Sequence, residues 1–113
     1  MNDLTIFNSS EFGEIRTVTI DGKPYFVAVD VAAALGYATP RDAISRHCKG
    51  VVKRDTPTSS GIQQMSYINE GDLYRLIMKS KLPSAEKFES WVVDEVLPAI
   101  RKTGSYQDRK SVV

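Results

Sequence analysis

Apolar and polar positions change period several times along this chain, and each change marks an element. Residues 14–28 read EIRTVTIDGKPYFVA, two β-rich runs flanking Asp21-Gly22. That pair is favoured in two-residue hairpin turns, so the stretch predicts an N-terminal β-hairpin. In the first run Val18 and Ile20 alternate with Thr17 and Thr19, the period of a strand with one buried and one polar face. Pro24, early in the second run, predicts an edge or a strand end. LTIF at 4–7 is a shorter strand candidate.

The period then lengthens. Residues 29–50 read VDVAAALGYATPRDAISRHCKG. Val31, Ala34 and Leu35 share one side of a short helix running from Val29 to Leu35, with Asp30 near its positive end. Gly36 stands where a helix C-terminus takes a left-handed residue, which predicts a positive φ there. Thr39 is an N-cap residue type, Pro40 fits the first helical position, and Asp42 follows Thr39 at capping-box spacing. A second helix from Pro40 to Cys48 is expected, and the short break between the two is helix-turn-helix spacing. Behind it comes VVKRDTPTSSGIQQMSYI, two strand-like runs about the turn-rich TPTSSG. A polar-looped hairpin directly after a helix-turn-helix is the element order of a winged helix.

The remainder is helical. In INEGDLYRLIMKS, Asn69 is placed to cap, Asp72 is a first-turn acid, and Leu73, Leu76 and Ile77 form an apolar stripe. Leu82-Pro83-Ser84 breaks the pattern. Ser84 starts AEKFESWVVDEVLPAIRK, with Phe88, Trp91, Val92 and Val96 on one side. Pro98 is expected to kink or end that helix near Leu97, Gly104 to stop it, and residues 107–113 to fray. The fold class is therefore α+β: a small mixed domain over residues 1–106, with an N-terminal hairpin, a helix-turn-helix-like pair, a wing hairpin and C-terminal helices.

Charge adds what periodicity cannot. The chain of 113 residues has a net charge of +1, so no overall basic field points to nucleic acid. Its distribution is uneven. Residues 41–54 hold five bases, Arg41, Arg46, Lys49, Lys53 and Arg54, against one acid, Asp42. Residues 1–40 are net acidic and residues 55–113 balance. The positive excess thus falls on the second helix and the strand behind it. At 100° per residue, Ala43, Ile44, His47 and Cys48 share one arc of that helix, and Arg41, Asp42, Ser45, Arg46 and Lys49 the opposite one. From spacing alone the second arc serves equally as a solvated face or as one that meets phosphates. In the binding reading, Arg41, Ser45 and Arg46 approach base edges while Lys49, Lys53 and Arg54 position the backbone. Gln63 and Gln64 are further candidates for adenine edges, but a period-2 strand points them to opposite faces.

Other chemistry is sparse. No nucleophile–base motif, Walker loop or G-x-G-x-x-G occurs, so neither an enzyme nor a cofactor is expected. His47 and Cys48, adjacent on a helix, cannot by themselves make a four-ligand zinc site. Cys48 is expected to be a small buried hydrophobe and His47 a boundary residue. The single cysteine suits a reducing compartment. The N-terminus shows no signal-peptide pattern, and no apolar run approaches the roughly 18 residues of a membrane span. A cytoplasmic protein with no membrane partner is expected.

FVAVDVAAALGY, the His47-Cys48-Lys49-Gly50 run and INEGDLYRLIMKSKLPSAEKFESWVVDEVLPAIRKTGSY together resemble the Bro N-terminal domain, over roughly residues 4–106. The resemblance implies a small α+β domain associated with DNA binding, in a phage or prophage setting. In proteins of that kind a second, C-terminal domain often follows, and they can relieve repression by binding a repressor. Three functions stay open on the sequence. The first is a regulatory DNA-binding domain whose partner is double-stranded DNA. The second is an antirepressor that binds a phage repressor protein. The third is a homodimerisation module that buries Trp91 against a second copy, where an intramolecular core would otherwise hold it.

Overall fold

The computed structural model describes residues 4–80 and 82–103. Five antiparallel strands form one sheet in the order β1-β2-β3-β5-β4: β1 (Thr5–Ser9), β2 (Gly13–Ile20), β3 (Lys23–Val27), β4 (Val52–Thr58) and β5 (Gly61–Ile68). Between β3 and β4 the chain forms α1 (Ala28–Ala34) and α2 (Pro40–His47). After β5 come α3 (Glu70–Lys79), α4 (Ala85–Trp91), a π-wound turn (Val92–Val96) and α5 (Leu97–Thr103). The α+β class, the hairpins and the C-terminal helices are as the sequence predicts. At the first hairpin Asp21 has φ 52 and Gly22 φ 76, the pair of left-handed residues that a tight two-residue turn demands. No helix among the described residues is long and apolar enough to cross a membrane.

The helices pack on one face of the sheet. Ile15, Phe26 and Ile68 from the strands meet Val31 and Leu35 of α1, Leu73 and Leu76 of α3, and Phe88, Val92 and Val96 of the C-terminal helix. Phe88 is fully buried, and its removal would cost about 3–5 kcal/mol through lost transfer energy and the cavity left behind. Trp91, half-buried, packs within its own chain, its ring 5.9 Å from Phe12 and 6.0 Å from Phe88.

Two expectations are corrected. β2 is not buried on one face and polar on the other: Thr17 and Val18, on opposite faces, are both buried. Ile15 lies under the helices, whereas Val18 joins Val27 and Tyr67 in a second, smaller cluster on the back. Tyr67 also meets β4 there, its hydroxyl 2.9 Å from that of the buried Thr56. Of the kink or end expected at Pro98, the end does not occur: α5 runs on through it. The backbone relaxes one turn earlier, where the Leu97 N–H donates to the carbonyl of Val92, five residues back. A widened turn accommodates a proline ring that regular α-winding would drive against the carbonyl four residues before it. Gly104 and residues 107–113 lie outside the described residues.

Candidate nucleic-acid interface

The turn between α1 and α2 sets the geometry of the site. Gly36 has φ 81, and its N–H donates to Ala33 while that of Tyr37 donates to Ala32, satisfying the last carbonyls of α1. The Tyr37 hydroxyl donates to the Leu76 carbonyl at 2.7 Å and the Ser80 hydroxyl to that of Leu35 at 2.9 Å, so α3 holds the turn. Pro40 opens α2 as expected, but the capping box is absent. Thr39 makes no side-chain cap bond; its carbonyl accepts the N–H groups of Asp42 and Ala43 instead. The Asp42 carboxylate turns forward to Arg46 at 3.0 Å, the favourable pairing one helical turn on.

The phase of α2 agrees with the sequence. Ala43 and Ile44 are buried; Arg41, Asp42, Ser45, Arg46 and Lys49 are exposed. His47 is half-buried, its ring 6.1 Å from Tyr37. Cys48, which caps α2 in extended conformation, packs against the core but is half-buried rather than buried. Burial, with Asp72 adding to it, still pushes its thiol up to about 11.

The link from α2 to β4 is fixed by a residue whose role the sequence does not show. Asp72, fully buried, accepts the N–H of Lys49 at 3.0 Å, the N–H of Gly50 at 2.8 Å, and an Arg75 guanidinium N–H at 2.6 Å. Burial acts to raise its pKa, but these donors outweigh burial and hold the carboxyl below its ordinary value. Asn69 caps α3 as predicted, accepting the Asp72 N–H at 2.8 Å. Gly50 sits so close that a Cβ there would meet the Asn69 amide nitrogen at 3.0 Å.

Beyond this anchor β4 and β5 run as a two-stranded ribbon. They pair over their whole length, from Val52↔Tyr67 to Thr58↔Gly61, while β3 pairs with β5 only at Ile68 and Tyr67. A groove of about 640 Å³ separates the ribbon from α2. Arg41 and Ser45 line it from the helix, Lys53, Gln64 and Ser66 from the ribbon, over a floor that includes Ile44 and Val51. Neither Arg41 nor Lys53 forms an ion pair with a described residue. The structure thus brings Arg41, Ser45 and Lys53 together. Lys49 is exposed on the adjoining loop. Arg46 faces a different cleft, beside His47 and Lys79, and is held by Asp42. Arg54 is half-buried on the other face of β4, opposite Met65. Gln63 and Gln64 do alternate, opposite Thr56 and Asp55, yet both border the groove. Ser66 was not among the candidates; its place across from Lys53 follows from strand parity once the register is known.

A small α+β domain that sets a short helix and a β-ribbon on either side of a cationic groove is the class this arrangement defines. The family described as "BRO family, N-terminal domain" matches residues 14–98, and the chain belongs to it. A protein of Haemophilus influenzae is 57% identical over 88 residues, covering 76% of this chain and 44% of the relative. Bro-N domain-containing protein 019R of Invertebrate iridescent virus 3 is 33% identical over 138 residues, covering 90% of this chain and 34% of the relative. Bro-N domain-containing protein ORF2 of Autographa californica nuclear polyhedrosis virus is 35% identical, covering 88% and 36% respectively. The chain thus spans less than half the length of these relatives. No solved structure matches it significantly.

Proposed function

We propose that this domain binds double-stranded DNA and serves transcription control in a phage or prophage setting. One observation carries the reading: Arg41 and Ser45 from α2 converge with Lys53 and Gln64 from the ribbon on a single groove, and neither cation forms an ion pair with a described residue. An arginine fork fits two acceptors on a guanine edge or on a phosphate, and a glutamine amide fits adenine. Lys53, with Lys49 on the adjoining loop, positions the duplex without reading it. The test is an anisotropy titration with random duplex DNA at two salt concentrations. The double variant Arg41→Ala, Lys53→Ala is expected to bind at least about tenfold more weakly, with a shallower salt dependence. A folded double variant that binds like the parent makes the groove a solvated surface.

A second reading is an antirepressor that grips a repressor protein. It is favoured by the net charge of +1 and by the exposed apolar side chains of Met78 and Leu82, on and just beyond α3. It requires a stable complex with the repressor in the absence of DNA.

A further inference from the structure

The ribbon ends in a side chain that the groove does not use. Ile62 is 68% exposed and stands in register with Pro57, also exposed, one pair below the turn. Single exposed apolar residues are ordinary on protein surfaces. This one differs in its surroundings. It sits at the tip of the ribbon, outside both apolar clusters, and next in sequence to Gln63 and Gln64 at the groove. By strand parity Ile62 and Pro57 share the ribbon face of Gln64 and Lys53, with Asp55 between them.

The tip is also stiff. The Thr58 hydroxyl donates to the Gly61 carbonyl at 2.6 Å and accepts the Ser60 N–H at 3.2 Å, tying the turn to itself. On the reverse face Thr56 meets Tyr67, which is buried against Val18 and Val27, so the ribbon is braced on the sheet. A stiff ribbon with a cationic base and an apolar tip has the parts of a minor-groove wedge, in which Ile or Pro enters between base pairs and unstacks them. We propose that Ile62, backed by Pro57, is such a wedge: the domain kinks the duplex it binds at a step reached by the ribbon tip. Lys53 and Pro57 are four residues apart, about 13 Å along a strand, so the kink falls a few base pairs from the phosphates that Lys53 contacts. This inference rests on the DNA-binding reading. Asp55 repels phosphate, which favours a tip that seeks bases over one that lies along the backbone.

The experiment measures end-to-end energy transfer in a labelled duplex of about 30 base pairs at saturating protein, with an adenine analogue whose fluorescence rises on unstacking as a second reporter. The parent is expected to bend the duplex by roughly 20–90° and to brighten the reporter at one step. Ile62→Ser, at an exposed position outside the core, is expected to fold normally, to bind on the order of tenfold more weakly, and to leave bound DNA straight. Ile62→Leu keeps the wedge and should keep the bend. Lys53→Ala should weaken binding but leave saturated complexes bent. If the parent binds straight DNA, or Ile62→Ser bends it as the parent does, the wedge is overturned and the groove reading stands. If the parent does not bind duplex at all, both fall.

Discussion

Two side chains show how local chemistry is set by neighbours distant in sequence. Asp72 satisfies two backbone N–H groups of the α2–β4 link and one guanidinium from a fully buried position. Asp72→Ala leaves the Lys49 and Gly50 donors without their acceptor, and a loss on the order of 2–3 kcal/mol is expected in a denaturant titration. The same carboxyl predicts the acid limb of stability. Its folded pKa lies below the unfolded value, so its contribution is complete above the ordinary carboxylate range and is lost as pH falls through the lower, folded value. Melting temperature against pH should fall below about pH 4, and less steeply in Asp72→Asn. Cys48 makes the opposite case. With its thiol at about 11, little thiolate is present at neutral pH. Alkylation of the native protein at pH 8 should run about two orders of magnitude slower than that of an unperturbed thiol, and should accelerate as pH rises toward that value.

At the scale of elements, the α1–α2 turn depends on one glycine. Gly36 is left-handed, and a Cβ there would also meet Leu82 side-chain carbons at 3.0 and 3.2 Å. Gly36→Ala should cost about 1–2 kcal/mol from the backbone alone, read as a shift in denaturation midpoint. Because the turn aims α2, the variant should also weaken any duplex binding beyond what its loss of stability explains. Arg16 and Asp30 brace the start of the same pair: the Asp30 carboxylate accepts the Arg16 backbone N–H at 3.0 Å and two guanidinium N–H groups at 2.9 and 2.8 Å. That contact fixes α1 on β2, so the helix pair is anchored at both ends.

Across the whole molecule, helices packed on one face of the sheet leave the outer arc of α2 and one face of the β4–β5 ribbon to the solvent. With a net charge of +1, any binding to DNA must come from a few local cations rather than from a general field. Arg41, Lys53 and Lys49 are the exposed ones at and beside the groove. The logarithm of the binding constant should then fall with the logarithm of salt at a slope of about −2 to −3, one unit for each phosphate neutralised. A much steeper slope would require cations from elsewhere on the surface, beginning with Arg46 and Lys79 at the neighbouring cleft.

By itself the sequence determined the elements whose cause is local. Asp21-Gly22 makes its turn through two left-handed residues, Gly36 ends α1 as only an achiral residue does cheaply, Asn69 caps α3, and the alternation of Ala43 and Ile44 with Arg41, Ser45 and Arg46 sets the phase of α2. The family, too, was legible in the long run from Ile68 to Tyr106. What depended on distant partners was decided only by the tertiary structure. Thr17 is buried on the Ile15 face of β2, its hydroxyl donating to the Thr5 carbonyl, and Val18 on the other face against Val27 and Tyr67. Pro98 stays helical because a turn before it rewinds. Arg54 and Lys53, neighbours in the basic run, part to opposite faces of β4, and Arg46 is taken by Asp42. A charge count sees these cations as one cluster, whereas the groove is defined by which of them share a face of the ribbon and a side of α2. That register is set by β4 pairing with β5 and by Asp72 gripping Lys49 and Gly50 from more than twenty residues away, contacts that have no signature in the local pattern.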